Sequence, residues 1–166
     1  MNTSSKLLWQ GRFLKVSLVE GHYEVVNRPH AVAIIALDYS NNVLLVKQYR
    51  PALGKEILEI PAGLMEEGES PIETAVRELK EETGYLPIRE SIDYLGYMCP
   101  TVGYSDEILH FVKLKIDKSS YVGQNLDERE SINEVLFMPI RDFIEKARRL
   151  EIHDSKTLVA ALLVIY

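Results

Sequence analysis

Apolar and polar positions interchange in two short runs near the start of the chain, Phe13, Leu14, Val16 and Leu18, then Tyr23, Val25 and Val26, with Glu20-Gly21-His22 between them. Short runs broken by a glycine turn predict an antiparallel β arm over residues 1–30. Two denser runs, 31–37 and 43–49, flank Ser40-Asn41-Asn42, whose side chains favour turns, and predict a hairpin of central strands buried on at least one face. Residues 56–63 read as a short strand closed by Pro61 and Gly63.

A helix is then well marked at both ends. Ser70 can cap it, Pro71 suits the first helical position, Glu73 completes a Ser-x-x-Glu capping box, and Gly84 suits a left-handed C-terminal position. Within it Ile72, Ala75, Val76 and Leu79 form one apolar stripe, as on a helix packed against a sheet. Further on, 94–98, 108–114 and 135–138 predict strands, and 141–150 and 154–166 predict helices. Residues 158–166 are apolar nearly all round and are expected to be buried. Strands and three helices without repeats or linkers predict one α/β (α+β) core, an α/β/α arrangement with a mixed central sheet.

Composition narrows what such a fold can do. A chain of 166 residues, 46% hydrophobic, buries a core without disulfides. Twenty-five acids against nineteen bases give a net charge of −6, which argues against gripping nucleic acid or anionic lipid through bulk charge. The single cysteine, Cys99, excludes an internal disulfide and suits a reducing compartment, so a cytoplasmic location is expected. The longest apolar run, 158–166, is too short to span a membrane, and the polar start does not resemble a secretory signal. His22, His30, His110 and His153 have no metal-ligand spacing.

The candidate chemistry lies on the predicted helix. At about 100° per residue, Glu82 stands roughly 40° to one side of Glu78 and Glu81 roughly 60° to the other, so three carboxylates crowd one face beside the apolar stripe. Like charges at this spacing repel, and a hard divalent cation with oxygen ligands relieves the repulsion. Arg77 can pair with Glu73 and Glu81, four residues to either side. The alternative is a solvated acidic face, as many helices have.

The surrounding register favours the first reading. From Gly63 the chain continues with five residues, Glu69, seven residues, then Arg77-Glu78-Leu79-Lys80-Glu81-Glu82-Thr83-Gly84-Tyr85. This resembles the Nudix box of hydrolases acting on a nucleoside diphosphate linked to another group; the departure is Tyr85, where the family has an aliphatic residue. The resemblance implies a strand–loop–helix in an α/β/α sandwich, with Glu78, Glu81 and Glu82 holding Mg²⁺ or Mn²⁺. It also implies that the Ala62 carbonyl is a further metal ligand and that Glu69 and Arg77 pair to brace the loop.

Outside the box the chain resembles the ADP-ribose pyrophosphatase branch. Gln48-Tyr-Arg-Pro and Glu56-Ile-Leu-Glu-Ile-Pro-Ala-Gly are typical of that branch, as is Pro100, sixteen positions after Gly84. Thr101-Val-Gly-Tyr-Ser-Asp-Glu107 is similar to its Pro-Gly-x-Ser-Asp-Glu loop, with one extra residue. Leu126-Asp-Glu128-Arg-Glu130-Ser-Ile matches an acidic loop that in the branch brings a glutamate over the metals, which makes Glu128 first and Glu130 second the expected base or water-positioning group; an inert exposed turn is the alternative.

By the same resemblance Arg50 reaches the substrate, and an arginine fork suits a phosphate; a surface salt bridge is the alternative. Glu59 falls near metals or substrate, or else pairs with Lys55. Glu107 and Tyr104 are further substrate-binding candidates, and Trp9, Phe13 and Tyr104 offer flat rings for adenine. The expected activity is Mg²⁺-dependent hydrolysis of ADP-ribose to AMP and ribose 5-phosphate. The same chemistry on a GDP- or UDP-sugar, or a nucleotide-sensing module that does not cleave, are the alternatives. The resemblance also implies a homodimer through the arm at 1–30, with the hydrolase domain over 31–166; the net negative charge and the short apolar runs lead us to expect neither nucleic acid nor membrane as partner.

Overall fold

Residues 31–37 form a strand buried on both faces, and the rest of the chain is arranged about it. The computed structural model describes residues 4–126 and 131–165. In chain order its strands are β1 (Ser5–Gln10), β2 (Lys15–Val19), β3 (Tyr23–Asn27), β4 (Ala31–Leu37), β5 (Asn42–Arg50), β6 (Lys55–Glu59) and β7 (Ala62–Leu64). Helix α1 (Pro71–Thr83) follows, then β8 (Asp93–Met98), β9 (Leu109–Lys115), β10 (Ile132–Pro139), α2 (Ile140–Arg148) and α3 (Ser155–Leu163).

The first three strands make a separate antiparallel sheet, the expected arm, in the order β1-β2-β3. It joins the body where the Val26 amide donates to the Tyr104 carbonyl at 2.7 Å. The large sheet runs β10-β5-β4-β9-β8, with β4 and β9 parallel and the other pairs antiparallel. Alternation along β4 divides the core. Val32, Ile34 and Ala36 meet Ala75 and Leu79 of α1, whereas Ala33, Ile35 and Leu37 share the opposite layer with Phe143 of α2 and Ala160 and Ala161 of α3. Two covered faces explain the unbroken apolar run in β4, and the result is the expected α/β/α sandwich.

The hairpin expected around Ser40-Asn41-Asn42 closes and then parts. Asp38 accepts from the amides of Ser40 and Asn42 at 2.9 and 2.8 Å, and Asn41 takes the left-handed conformation at φ 58° that asparagine tolerates. Leu37 pairs with Val43, but further along β6 takes the edge of β5 and β7 that of β4. The Pro61 carbonyl accepts from the Ile34 amide at 2.8 Å inside the split. Residues 59–63 are thus wedged between the two central strands, directly beneath α1.

Two burial expectations are corrected. The inward face of α1 is Thr74, Ala75, Glu78, Leu79, Glu82 and Thr83, so Ile72, 40% exposed, lies outside it and flanks an apolar surface groove of about 690 Å³ with Val76, Leu86, Pro87 and Ile92. The stripe is rotated because the wedge draws Glu78 and Glu82 inward. In α3 and the turn that follows it only one side meets the core, through Ala160, Ala161 and Val164; Leu162 and Ile165 are exposed at 66% and 60%. Among the described residues no helix is long and apolar enough to cross a membrane.

Candidate active site

Local chemistry fixes α1 before any tertiary contact does. The Ser70 amide donates to Glu73 Oε2 at 2.8 Å and the Glu73 amide to Ser70 Oγ at 3.3 Å, the reciprocal bonds of a capping box. At the other end Gly84 adopts φ 77°, and a β-carbon there would fall 2.5 Å from the Tyr121 ring. Glu73 is committed to the cap, so the expected pairing of Arg77 with Glu73 does not occur.

Arg77 turns instead toward the loop and the next turn of α1. It donates to Glu69 at 2.8 and 2.9 Å, to Glu78 at 2.7 Å, to Glu81 at 3.1 Å and to the Leu64 carbonyl at 3.0 Å. Its hydrogen bonds to Glu69, partly opposed by burial and reinforced by Glu78 and Glu81, raise its pKa above the ordinary arginine value. The same pair with Arg77 is the main cause that holds Glu69 down at about 2. The Glu69–Arg77 brace implied by the box is present.

The wedge presents backbone to these carboxylates. The Ala62 amide donates to Glu82 Oε2 at 3.0 Å, and a β-carbon on Gly63 would lie 1.9 to 2.3 Å from the Glu78 carboxyl group. Only glycine lets β7 approach Glu78 this closely. Glu78 and Glu82 are 5% and 3% exposed, far less than solvated carboxylates. The solvated-face alternative therefore fails for these two, while Glu81 stays half-exposed.

This donor set suits a divalent ion: all are hard oxygens, and Arg77 Nη1 already bridges Glu78 and Glu81 as a cation between carboxylates. Among the described residues no three side chains converge as a ready metal cage, since the guanidinium stands between two of them.

A second ionic cluster lies on the other side of the wedge. Arg50, at the end of β5, donates through Nε and Nη2 to the two oxygens of Glu59, both at 2.6 Å. Glu59 is buried and also accepts from Lys156 of α3, which donates to Asp154 at 3.0 Å. Burial alone would raise the Glu59 pKa, but the bonds from Arg50 and the charge of Lys156 outweigh it and the net shift is downward. For Arg50 the bond to Glu59 is the leading cause of a raised pKa, with the charges of Asp154 and Glu82 adding to it. The pairing of Glu59 with Lys55 is thereby corrected: the two share a face of β6, but four residues of extended chain hold them roughly 13 Å apart, with Lys55 at the exposed start of the strand and Glu59 engaged by Arg50 and Lys156.

Thr157 and Asp154 secure this arrangement. Asp154 caps α3, accepting from the Thr157 amide at 3.0 Å, while Thr157 Oγ1 accepts from the Ile60 amide at 2.9 Å. Sequence reading missed Lys156 and Thr157, which lie 97 residues from their partners; the one local signal was the capping residue Asp154.

The remaining candidates fall elsewhere. Glu107 pairs with Arg28 at 3.4 Å, and Tyr104 lies exposed beside the turn of the arm between β2 and β3. Trp9 and Phe13 are exposed on the arm. Glu128 and Glu130 lie outside the described residues. Their flanks are anchored at the site: the Asn125 amide donates to the Glu81 carbonyl at 3.0 Å, Gln124 Nε2 donates to the Glu82 carbonyl at 2.6 Å, and the Ser131 carbonyl accepts from Tyr49, next to Arg50, at 3.1 Å. Gln124 and Asn125 satisfy carbonyls at the end of α1, a role sequence reading also missed.

Comparison with known proteins adds the following. The model of the NUDIX domain matches residues 27–161. The ADP-ribose pyrophosphatase of Bacillus subtilis is 37% identical over 137 residues, 82% of this chain and 72% of that protein. The ADP-ribose pyrophosphatase of Mycobacterium tuberculosis is 50% identical over 142 residues, 85% of this chain and 67% of its own. A methanol dehydrogenase activator of Bacillus methanolicus is 39% identical, with 82% and 72% covered.

Proposed function

The chain belongs to the NUDIX domain family, and from that premise we propose that it hydrolyses the diphosphate of ADP-ribose to AMP and ribose 5-phosphate, using Mg²⁺ or Mn²⁺. The observation that carries this reading is the burial of Glu78 and Glu82 against the Ala62-Gly63 backbone, beside Arg77 and Glu81. Glu78, Glu81, Glu82 and the Ala62 carbonyl are the groups to hold the metal. When bound there, a divalent ion neutralises the diphosphate and lowers the pKa of a water nucleophile.

The chain's own residues do the rest. Arg77, braced by Glu69, fixes the direction of Glu78 and Glu81. Arg50 presents to a phosphate the guanidinium edge that Glu59 leaves open, since Glu59 uses Nε and Nη2. Glu128 first, and Glu130 second, takes the proton of the attacking water; anchors on Glu81 and Tyr49 at the two flanks support that assignment. Glu107 and Tyr104 are assigned to substrate binding beside the arm.

The exposed Leu7, Leu8, Trp9 and Phe13 support a homodimer through residues 1–30, and the single cysteine supports a cytoplasmic setting. The test is product analysis after incubation with ADP-ribose and Mg²⁺. AMP as product, with GDP- and UDP-sugars cleaved more slowly, supports the reading. Intact ADP-ribose alongside a cleaved GDP- or UDP-sugar transfers it to that substrate, and binding without any cleavage makes the chain a sensor.

A further inference from the structure

The cluster Arg50–Glu59–Lys156–Asp154 contains a buried cation with no part in metal binding or in water activation. Lys156 is 8% exposed, and the cost of burying an ammonium is recovered only if it is paired, as it is here with Glu59 and Asp154. Its formal charges balance: two cations, Arg50 and Lys156, face two anions, Glu59 and Asp154. Were Lys156 absent, two carboxylates would share one guanidinium. Glu59, at 2% exposure, would draw on Arg50 alone, and the cluster would carry a net negative charge next to Glu82.

We propose that Lys156 is a positioning residue for substrate binding: by sharing the Glu59 carboxylate it keeps Arg50 oriented and its charge available to the diphosphate. This deepens the reading of Arg50 as the phosphate-binding arginine and rests on it. Three elements meet in the device, β5 through Arg50, β6 through Glu59 and α3 through Lys156, and the bond from the Ile60 amide to Thr157 ties α3 to the same wedge that carries Ala62 and Gly63. Lys156 does not touch the substrate; it acts through Glu59.

The charge argument separates this role from simple packing. Lys156→Met leaves the cluster one positive charge short. Lys156→Arg keeps the charge. Lys156→Gln removes the charge but keeps a hydrogen-bond donor toward Glu59. Steady-state kinetics on ADP-ribose with Mg²⁺ should give a KM raised about tenfold in Lys156→Met and Lys156→Gln, with kcat within about twofold of the parent. KM should return toward the parent value in Lys156→Arg. An unchanged KM in Lys156→Met, or a Lys156→Arg protein no better than Lys156→Met, would overturn the proposal. If Lys156→Met does not fold, Lys156→Gln decides alone: a raised KM with near-parental kcat supports the proposal and an unchanged KM overturns it. Absence of turnover in the parent would instead be a failure of the ADP-ribose reading, which active parent protein with indifferent Lys156 variants would leave standing.

Discussion

The two ionic clusters on either side of the 59–63 wedge are built on opposite plans. The one at α1 is rich in acid: Glu69 of the preceding loop, Glu78 and Glu81 gather about the guanidinium of Arg77, and Glu82 lies alongside on the Ala62 amide. The one between β5, β6 and α3 alternates in sign from Arg50 to Glu59 to Lys156 to Asp154. An acid-rich group confined to one helical turn is poor stability engineering, since neighbours at this spacing repel. A balanced alternating group holds chain segments together and presents a directed arginine. The difference fits the proposals that the first cluster binds cations and that the second positions Arg50.

The largest effect expected from disturbing this contrast is at Glu82. Supporting residues around a metal site cost about 10–100-fold when removed, so Glu82→Gln, as loss of a ligand, should lower kcat/KM by at least about a hundredfold while the protein stays folded. Near-normal turnover in a folded Glu82→Gln protein would break the contrast at its acidic end.

Arg77→Met should come next. It strands Glu69, Glu78 and Glu81 without their shared partner and should destabilise by about 2–3 kcal/mol, somewhat below a fully buried pair because the site is partly solvated. Because cations relieve repulsion among acids, millimolar Mg²⁺ should raise the melting temperature of Arg77→Met more than that of the parent. Equal shifts in the two proteins would mean that the acids are not the ion's ligands.

The smallest effect belongs to a control remote from both clusters. Burial raises the pKa of Asp38, but hydrogen bonds from Asn42 and Lys118 prevail and bring it from 3.8 to about 2. A carboxylate depressed on folding stabilises above its unfolded pKa, and that contribution is lost as pH falls through the folded one. Asp38→Asn should therefore cost about 1 kcal/mol near neutrality, and the stability curves of parent and variant should converge between about pH 4 and pH 2. Curves that stay parallel into acid would show that Asp38 keeps an ordinary pKa.

How much of this could be read from the chain follows from contact distance. The acid-rich turn and its brace lie within Gly63–Gly84, where capping residues, helical spacing and glycine positions are local signals legible in the chain itself. Even there, helical periodicity placed Glu78 and Glu82 beside the apolar stripe, whereas the wedge pulls both into the buried face. That rotation depends on a split between β4 and β5 which no local pattern encodes. The balanced cluster was largely illegible: Glu59 and Lys156 are 97 residues apart, and a lysine one position inside a capped helix looks like any surface lysine. Burial of α3 was overestimated because composition does not say which side of an apolar helix the sheet will take.

The central claim, that the acidic turn of α1 binds divalent cations, is tested most directly by titrating Mn²⁺ into the protein in the presence of ADP-ribose and following free Mn²⁺ by electron paramagnetic resonance, for the parent and for Glu78→Gln and Glu82→Gln. The account predicts Mn²⁺ uptake by the parent and uptake weakened at least about tenfold in each variant. Equal uptake by all three proteins, or none by the parent, would contradict it.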